Sequence, residues 1–233
     1  MSDTDSFIDE VNDEVRRDKL YRLMRRYGWI AVVAILLIVG GAAWTEYQKA
    51  QERAKAEALG DAMLAALRAD DPATRAAALD KVTTQDGASA AVLALLRAAE
   101  QAEAGEDAAA AQTLDAVALS PEIPEIYREI ARFKAVTLRG AEAPVEERRQ
   151  ALEALAQPGA PLRLLAIEQL ALVDIEEGNA EAAIARYRSI LDDAELTPDL
   201  QQRALQVIVA LGGEPDAEAV AAADVETAAE PTQ

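Results

Sequence analysis

Between Arg26 and Glu46 the chain runs nineteen residues, Tyr27 to Thr45, without a charge. Most of them are Ile, Val, Leu, Ala or Gly. At ~1.5 Å of rise per residue a helix of this length reaches roughly 28 Å, close to the hydrocarbon thickness of a bilayer. No other feature limits the possible folds so strongly, because few surroundings can cover such a surface. Tyr27 and Trp29 stand at one end and Trp44 and Tyr47 at the other, where amphipathic rings form an interfacial belt. Arg16, Arg17, Lys19, Arg22, Arg25 and Arg26 precede the run, and only Lys49, Arg53 and Lys55 follow it closely. That imbalance predicts a cytoplasmic N-terminus and a C-terminal domain outside the cytoplasm. A buried core helix would also fit the run. So would a cleaved signal peptide, with Gly41-Ala42-Ala43 as its small-residue site, although its leading region would then carry seven acids. The pattern favours an uncleaved single-pass anchor.

Residues 1–26 form a segment of their own. Ser6 can cap a helix, with Asp9 and Glu10 in its first turn. Phe7, Ile8, Val11 and Val15 make one apolar stripe at helical spacing, and Leu20, Leu23, Met24 and Tyr27 a second, slightly out of phase. Two readings stand: a solvated cytoplasmic helix leading into the membrane, or a docking helix for a partner.

Beyond Glu46 helix-like stretches alternate with short breakers, among them Asp71-Pro72, Asp86-Gly87, Gly105, Ser120-Pro121, Gly140, Gly178-Asn179, Thr197-Pro198 and Gly212-Gly213. In three of these a capping side chain precedes a Pro suited to the first helical position. Several of the glycines stand where helices should stop. Alanine and leucine dominate, and runs of strand-forming residues are almost absent. The expectation is an all-α chain.

Helical hairpins in series suggest a repeat. The best copy runs from Leu164 to Pro198. It places Leu170 and Ala171 in a first helix, Gly178 in the turn, and Ala183 and Tyr187 in a second. This order resembles the tetratricopeptide pattern, in which a small residue admits a close helix neighbour and an aromatic fills the space between hairpins. Asp174 departs from it, standing where that pattern prefers an aromatic. A weaker copy runs from Ala91 to Pro121, with Gly105 as its turn and Ala110 and Leu114 in the packing places. Between them Ile126–Leu155 reads as a degenerate hairpin around Gly140, in which Phe133 replaces a small residue. A generic helical bundle or another α-solenoid would satisfy the same breakers. Stacked hairpins leave a concave inner face. By position that face includes Val92, Leu95 and Ala99, then Leu165, Glu168 and Leu172. Each of these residues can equally belong to the core.

The chain has no cysteine and no histidine. That removes disulfides, thiolate nucleophiles, imidazole bases and the usual zinc ligands. The net charge of -19 disfavours nucleic acid. No phosphate loop or nucleophile elbow is present. The carboxylate pairs Asp70/Asp71, Glu146/Glu147, Glu176/Glu177 and Asp192/Asp193 sit near expected helix ends, where charge is ordinarily solvated. A non-enzymatic protein with no cofactor, no metal and no small-molecule substrate is expected. The domain order is then a cytoplasmic amphipathic segment (1–26), a transmembrane helix (27–45), a periplasmic tetratricopeptide-like helical-hairpin solenoid (46–211) and a disordered acidic tail (212–233).

Three features together carry a family resemblance. They are the segment Ser6-Phe7-Ile8-Asp9-Glu10-Val11-Asn12-Asp13-Glu14-Val15-Arg16, the run Arg25-Arg26-Tyr27-Gly28 entering the apolar stretch, and the hairpins beyond it. The chain resembles the alphaproteobacterial branch of the YfgM-like proteins, ancillary subunits of the SecYEG translocon. The repeats also resemble those of periplasmic cell-division coordinators. The first resemblance implies a periplasmic scaffold that associates with the translocon, periplasmic chaperones and newly exported polypeptides in a chaperone-like role. The alternative is an adaptor in cell division or envelope assembly.

Overall fold

A computed structural model describes the backbone of residues 3–214 and the side chains of residues 24–27, 29–30 and 33–214. The side chains of Arg16, Arg17, Lys19 and Arg22, those of the apolar stripes of Phe7 to Leu23, and tail residues 215–233 therefore lie outside what is described. Two units divide the chain, residues 1–60 and 61–233.

The first unit is one helix. Helix α1 (Asp3–Ala66) passes through Gly40 and Gly41 without a break. A methyl group built on either glycine would meet nothing within 4 Å. Ile30, Val33, Ile35, Leu36, Leu37, Ile38 and Val39 are all exposed, Leu37 and Ile38 at 71% each. Trp44 and Tyr47 tilt toward one another with ring centroids 6.3 Å apart, and the Arg26 guanidinium lies 5.8 Å from the centre of the Tyr27 ring. Among the described residues no helix is long and apolar enough to cross a membrane.

The second unit is built of helical hairpins. They comprise α2 (Pro72–Leu79), α3 (Gly87–Glu103), α4 (Asp107–Leu119), α5 (Glu125–Arg139), a 3-10 turn (Gly140–Glu142), α6 (Val145–Leu155), α7 (Arg163–Glu176), α8 (Ala180–Leu191) and α9 (Pro198–Ala210). No strand occurs among the described residues. From α2 onward each helix packs on the next, and α3 also packs on α5. Three apolar clusters join the stack. One links α3, α4 and α5, one links α5, α6 and α7, and one links α7, α8 and α9.

The helix boundaries have local causes. Asp71 and Asp86 accept hydrogen bonds from the backbone N–H of Thr74 and Ser89, both at 2.9 Å. These bonds cap α2 and α3 and hold both carboxyl groups below their usual pKa range. The other two Pro-preceding caps differ from expectation. Thr197 is extended before Pro198, but its side chain makes no cap bond. Ser120 ends α4 instead of starting α5. Pro124 disfavours a helical conformation at Ile123, which turns into the core, and α5 starts two residues later.

The helix ends at Gly105, Gly178 and Gly212 share one geometry. Each glycine has φ between 76° and 82°. In each, the following N–H bonds back five residues along the chain: Glu106 to Gln101, Asn179 to Asp174 and Gly213 to Ile208, at 2.8 to 2.9 Å. This double-bonded stop needs a left-handed residue, which glycine adopts without steric cost. Gly178 and Gly212 are 34 residues apart, one tetratricopeptide period.

Candidate functional site: the inner face of the hairpin stack

The turn glycines set a common register for two hairpins. Seven residues before Gly105 and Gly178 stand Ala98 and Ala171, and five residues after stand Ala110 and Ala183; all four are buried. Nine residues after stand Leu114 and Tyr187, also buried. The small residues let paired helices approach, and the larger ones fill the gap between them. Leu170 is buried too, in the cluster that ties α7 to α5 and α6. Burial pushes the Tyr187 hydroxyl up to about 12, with the charge of Glu168 adding to the effect.

A polar link repeats in the same register. Four residues before and eight after each glycine stand Gln101 with Thr113, and Asp174 with Arg186. Thr113 donates to Gln101 at 2.8 Å, and Arg186 donates to Asp174 at 2.6 Å. Asp174 also pairs with Arg149 at 3.0 Å. The aspartate that breaks the aromatic preference is thus the anchor of two arginines, one from each neighbouring helix.

Ion pairs connect the hairpins along the stack. Arg75 of α2 binds Glu100 and Glu103 of α3 at 2.5 and 3.0 Å. Arg148 and Arg149 of α6 meet Glu176 and Glu177 at the end of α7. Arg163 of α7 binds Asp193 at 2.7 Å and Glu195 at 3.0 Å, and its charge holds the Asp193 carboxyl below the usual range. Arg203 of α9 binds Glu168 of α7 at 2.8 Å. Glu176, Glu177 and Asp193, expected as merely solvated helix-end acids, therefore serve as partners for arginines from elsewhere in the chain. Sequence reading missed this because each pair joins residues about thirty positions apart.

The inner face is made by α3, α5 and α7. Leu95, Ala99 and Ala102 of α3 border a depression completed by Lys134, Thr137 and Leu138 of α5, with Leu114 at its floor. Thr137 also borders the next depression, with Gln169, Leu172 and Glu176 of α7. Thr137 is common to the borders of both depressions. Val92 (42%) and Leu172 (43%) are exposed, as is Ala99. Leu95 and Leu165 are half-buried, Leu95 against the first apolar cluster. Glu168 is engaged by Arg203 and so is not an unpaired charge on this face. Lys134 and Thr137 were not singled out in the sequence; the helical phase of α5 places them, and Gly140 alone did not reveal that phase. Such a surface, apolar with a few polar groups, suits a polypeptide segment better than a reaction. Among the described residues no group of His, Cys, Asp or Glu side chains could hold a metal ion.

No curated protein and no solved structure matches the chain. A family match covers residues 24–161, more than half of the 233, and takes in the apolar stretch of α1 together with α2 to α6. Domains of this kind are, as a class, protein-interaction modules and not catalysts. The helical hairpins, their shared register around the turn glycines and this match agree, and the chain belongs to the tetratricopeptide repeat-like domain family.

Proposed function

We propose that this protein is a single-pass bacterial inner-membrane protein whose hairpin domain stands in the periplasm. There it serves as an accessory scaffold of the SecYEG translocon with a chaperone-like role for exported polypeptides. The observation that carries the membrane reading is the exposed apolar surface of α1 at Ile30, Val33 and Ile35 to Val39. An apolar surface on every side of a helix needs a non-aqueous cover. The uncharged run Tyr27–Thr45, its flanking aromatics and the excess of arginine before it support an N-terminus in the cytoplasm.

The inner face of α3, α5 and α7 supports the interaction role. It offers half-exposed leucine, valine and alanine in a chain of net charge -19, which suits apolar stretches of an unfolded or emerging chain. Tethering raises the local concentration of such a surface at the membrane, so individually weak contacts suffice. The resemblance of Ser6–Arg16 and Arg25–Gly28 to the YfgM-like proteins supports the translocon as partner.

In-cell photo-crosslinking from positions 92, 99, 134 and 172 tests this reading. Adducts with translocon subunits, periplasmic chaperones or exported chains are expected. Adducts confined to division or wall-synthesis proteins would replace the translocon with an envelope-assembly role, and an absence of translocon adducts would overturn the secretion reading.

A further inference from the structure

Gly212 ends α9 with the backbone geometry that Gly105 and Gly178 use to join the two helices of a hairpin. After each of those glycines a second helix begins two residues on, at Asp107 and Ala180. By this register α9 is the first helix of a hairpin. Its side chains are less covered than their counterparts. Seven residues before the stop, Ala98 and Ala171 are buried in clusters that include residues of α4 and α8, whereas Leu205 is half-buried. Three residues before it, Ala102 and Ile175 pack on those clusters, whereas Val209 is 56% exposed. Leu205 and Val209 thus offer an apolar strip along the side of α9 on which a second helix would lie.

The sequence beyond the stop fits that strip in the same register. Ala217 stands five residues after Gly212, as Ala110 and Ala183 stand after Gly105 and Gly178. A paired replacement gives an independent sign. Four residues before and eight after the glycine, both earlier hairpins hold a hydrogen-bonded pair, Gln101 with Thr113 and Asp174 with Arg186. Around Gly212 both members are apolar, Ile208 and Val220. Changing one member would leave a polar group without its partner, but changing both keeps the contact without that cost. The acids fall elsewhere. Six residues after the glycine Ala111 faces α5 and Ile184 faces the end of α9, and Glu218 takes this place in the third instance. A charged outer face is what closes a stack of hairpins.

We propose that residues 214–225 dock on α9 as the second helix of a terminal hairpin, with Ala217 against Leu205 and Val220 against Ile208. The segment has the twelve residues of α8, five of them alanine, the best helix former. Pro215 suits the first turn, and Glu214 and Asp216 are favourably placed against the helix dipole. The chain already turns back at its start. A Cβ on Gly213 would lie 2.9 Å from the Ile208 side chain and 3.2 Å from that of Ile184, and Arg188 of α8 donates to the Glu214 carbonyl at 3.3 Å. Composition reads residues 212–233 as a tail, whereas the register assigns the first part of them to the domain. The proposal is independent of the membrane reading and of the inner face.

The chain has no cysteine, so introduced thiols report without background. In the full chain in detergent, Leu205→Cys is combined with Ala217→Cys, or with Glu218→Cys as the outward-facing control. Mild oxidation should close an intramolecular disulfide at least about tenfold faster with Ala217→Cys, because only thiols on converging Cβ vectors bridge readily. Equal rates would mean that the segment holds no register on α9. A disulfide between two chains would give the face to a second copy, and no disulfide from either pair would leave it uncovered; each of these overturns the proposal. Hydrogen exchange on the unaltered chain leaves Leu205 in place. Amides of residues 218–225 should be protected at least about tenfold, and Val220→Asp should remove that protection while α3 to α5 exchange as before. Unprotected exchange over 218–225 in the unaltered chain would overturn the proposal equally.

Discussion

Asp174 is only 3% exposed, yet it carries two arginines, Arg149 and Arg186. Removing one partner of a buried ion pair costs ~3–5 kcal/mol, and the partial exposure of both arginines lowers that figure. Asp174→Ala should therefore destabilise the hairpin domain by about 2–4 kcal/mol, read from the midpoint of urea unfolding. Asp174→Leu combined with Arg186→Met should recover part of the loss, because the pair is then replaced and not broken. Asp193 titrates in a fixed direction. Its bond to Arg163 holds its folded pKa below the usual aspartate range. Its stabilising effect is then complete above the unfolded pKa and is lost as pH falls through the lower folded value. Asp71 and Asp86 are depressed in the same direction by their cap bonds. Stability should thus fall as pH drops below about 4. Asp193→Asn should shallow that fall in a pH series of thermal melts, and an unchanged slope would remove the Arg163 pair from the account.

At the scale of the helix, glycine plays opposite parts at two sites. A Cβ on Gly87, at the start of α3, would lie 2.1 Å from the carbonyl oxygen of Glu122, a backbone atom that cannot swing aside. Gly87→Ala should cost about 1–3 kcal/mol, as overpacking does. Gly60 lies within α1 with nothing within 4 Å of such a carbon. Gly60→Ala should therefore stabilise by about 0.5–1 kcal/mol, since glycine is a poor helix former. Paired thermal melts check both signs, and equal effects from the two changes would show that helix propensity alone governs them. The positive φ at Gly105, Gly178 and Gly212 explains why glycine recurs there, whereas Gly87 is required by a neighbour and not by its own backbone.

For the molecule as a whole, the inner face and the core must respond differently to charge. Leu172→Glu and Val92→Glu alter exposed side chains on α7 and α3. Each should shift stability by less than about 0.5 kcal/mol and yet suppress photo-crosslinks formed from positions 99 and 134. Crosslinks that survive both changes would move the binding surface off this face. The full chain should remain in the membrane fraction after an alkaline carbonate wash. A chain starting at residue 61, the border of the second unit, should leave it while keeping its helical circular dichroism.

How much could be read in advance follows from the range of the forces involved. The helical hairpins, their turn glycines and the small residues around them were legible because each obeys a local rule: a left-handed stop, a helical period, a close approach at fixed distance from the turn. Phe133 and the uneven interval around Gly140 marked α5–α6 as irregular, but not that an open depression lies between α4, α5 and α6 with Glu129 and Arg148 on its border. Nor did sequence reveal that Glu122 crowds Gly87, or that the acids at helix ends are claimed by arginines about thirty residues away. By itself the sequence determined which segments are helices, where they stop and which stretch is apolar on every side, since dihedral preference and hydrophobic period act over a few residues. Only the tertiary structure decided which charges pair, which glycine has no room and where space is left. Those depend on distances between helices, and the volumes of side chains far apart in the chain set such distances together.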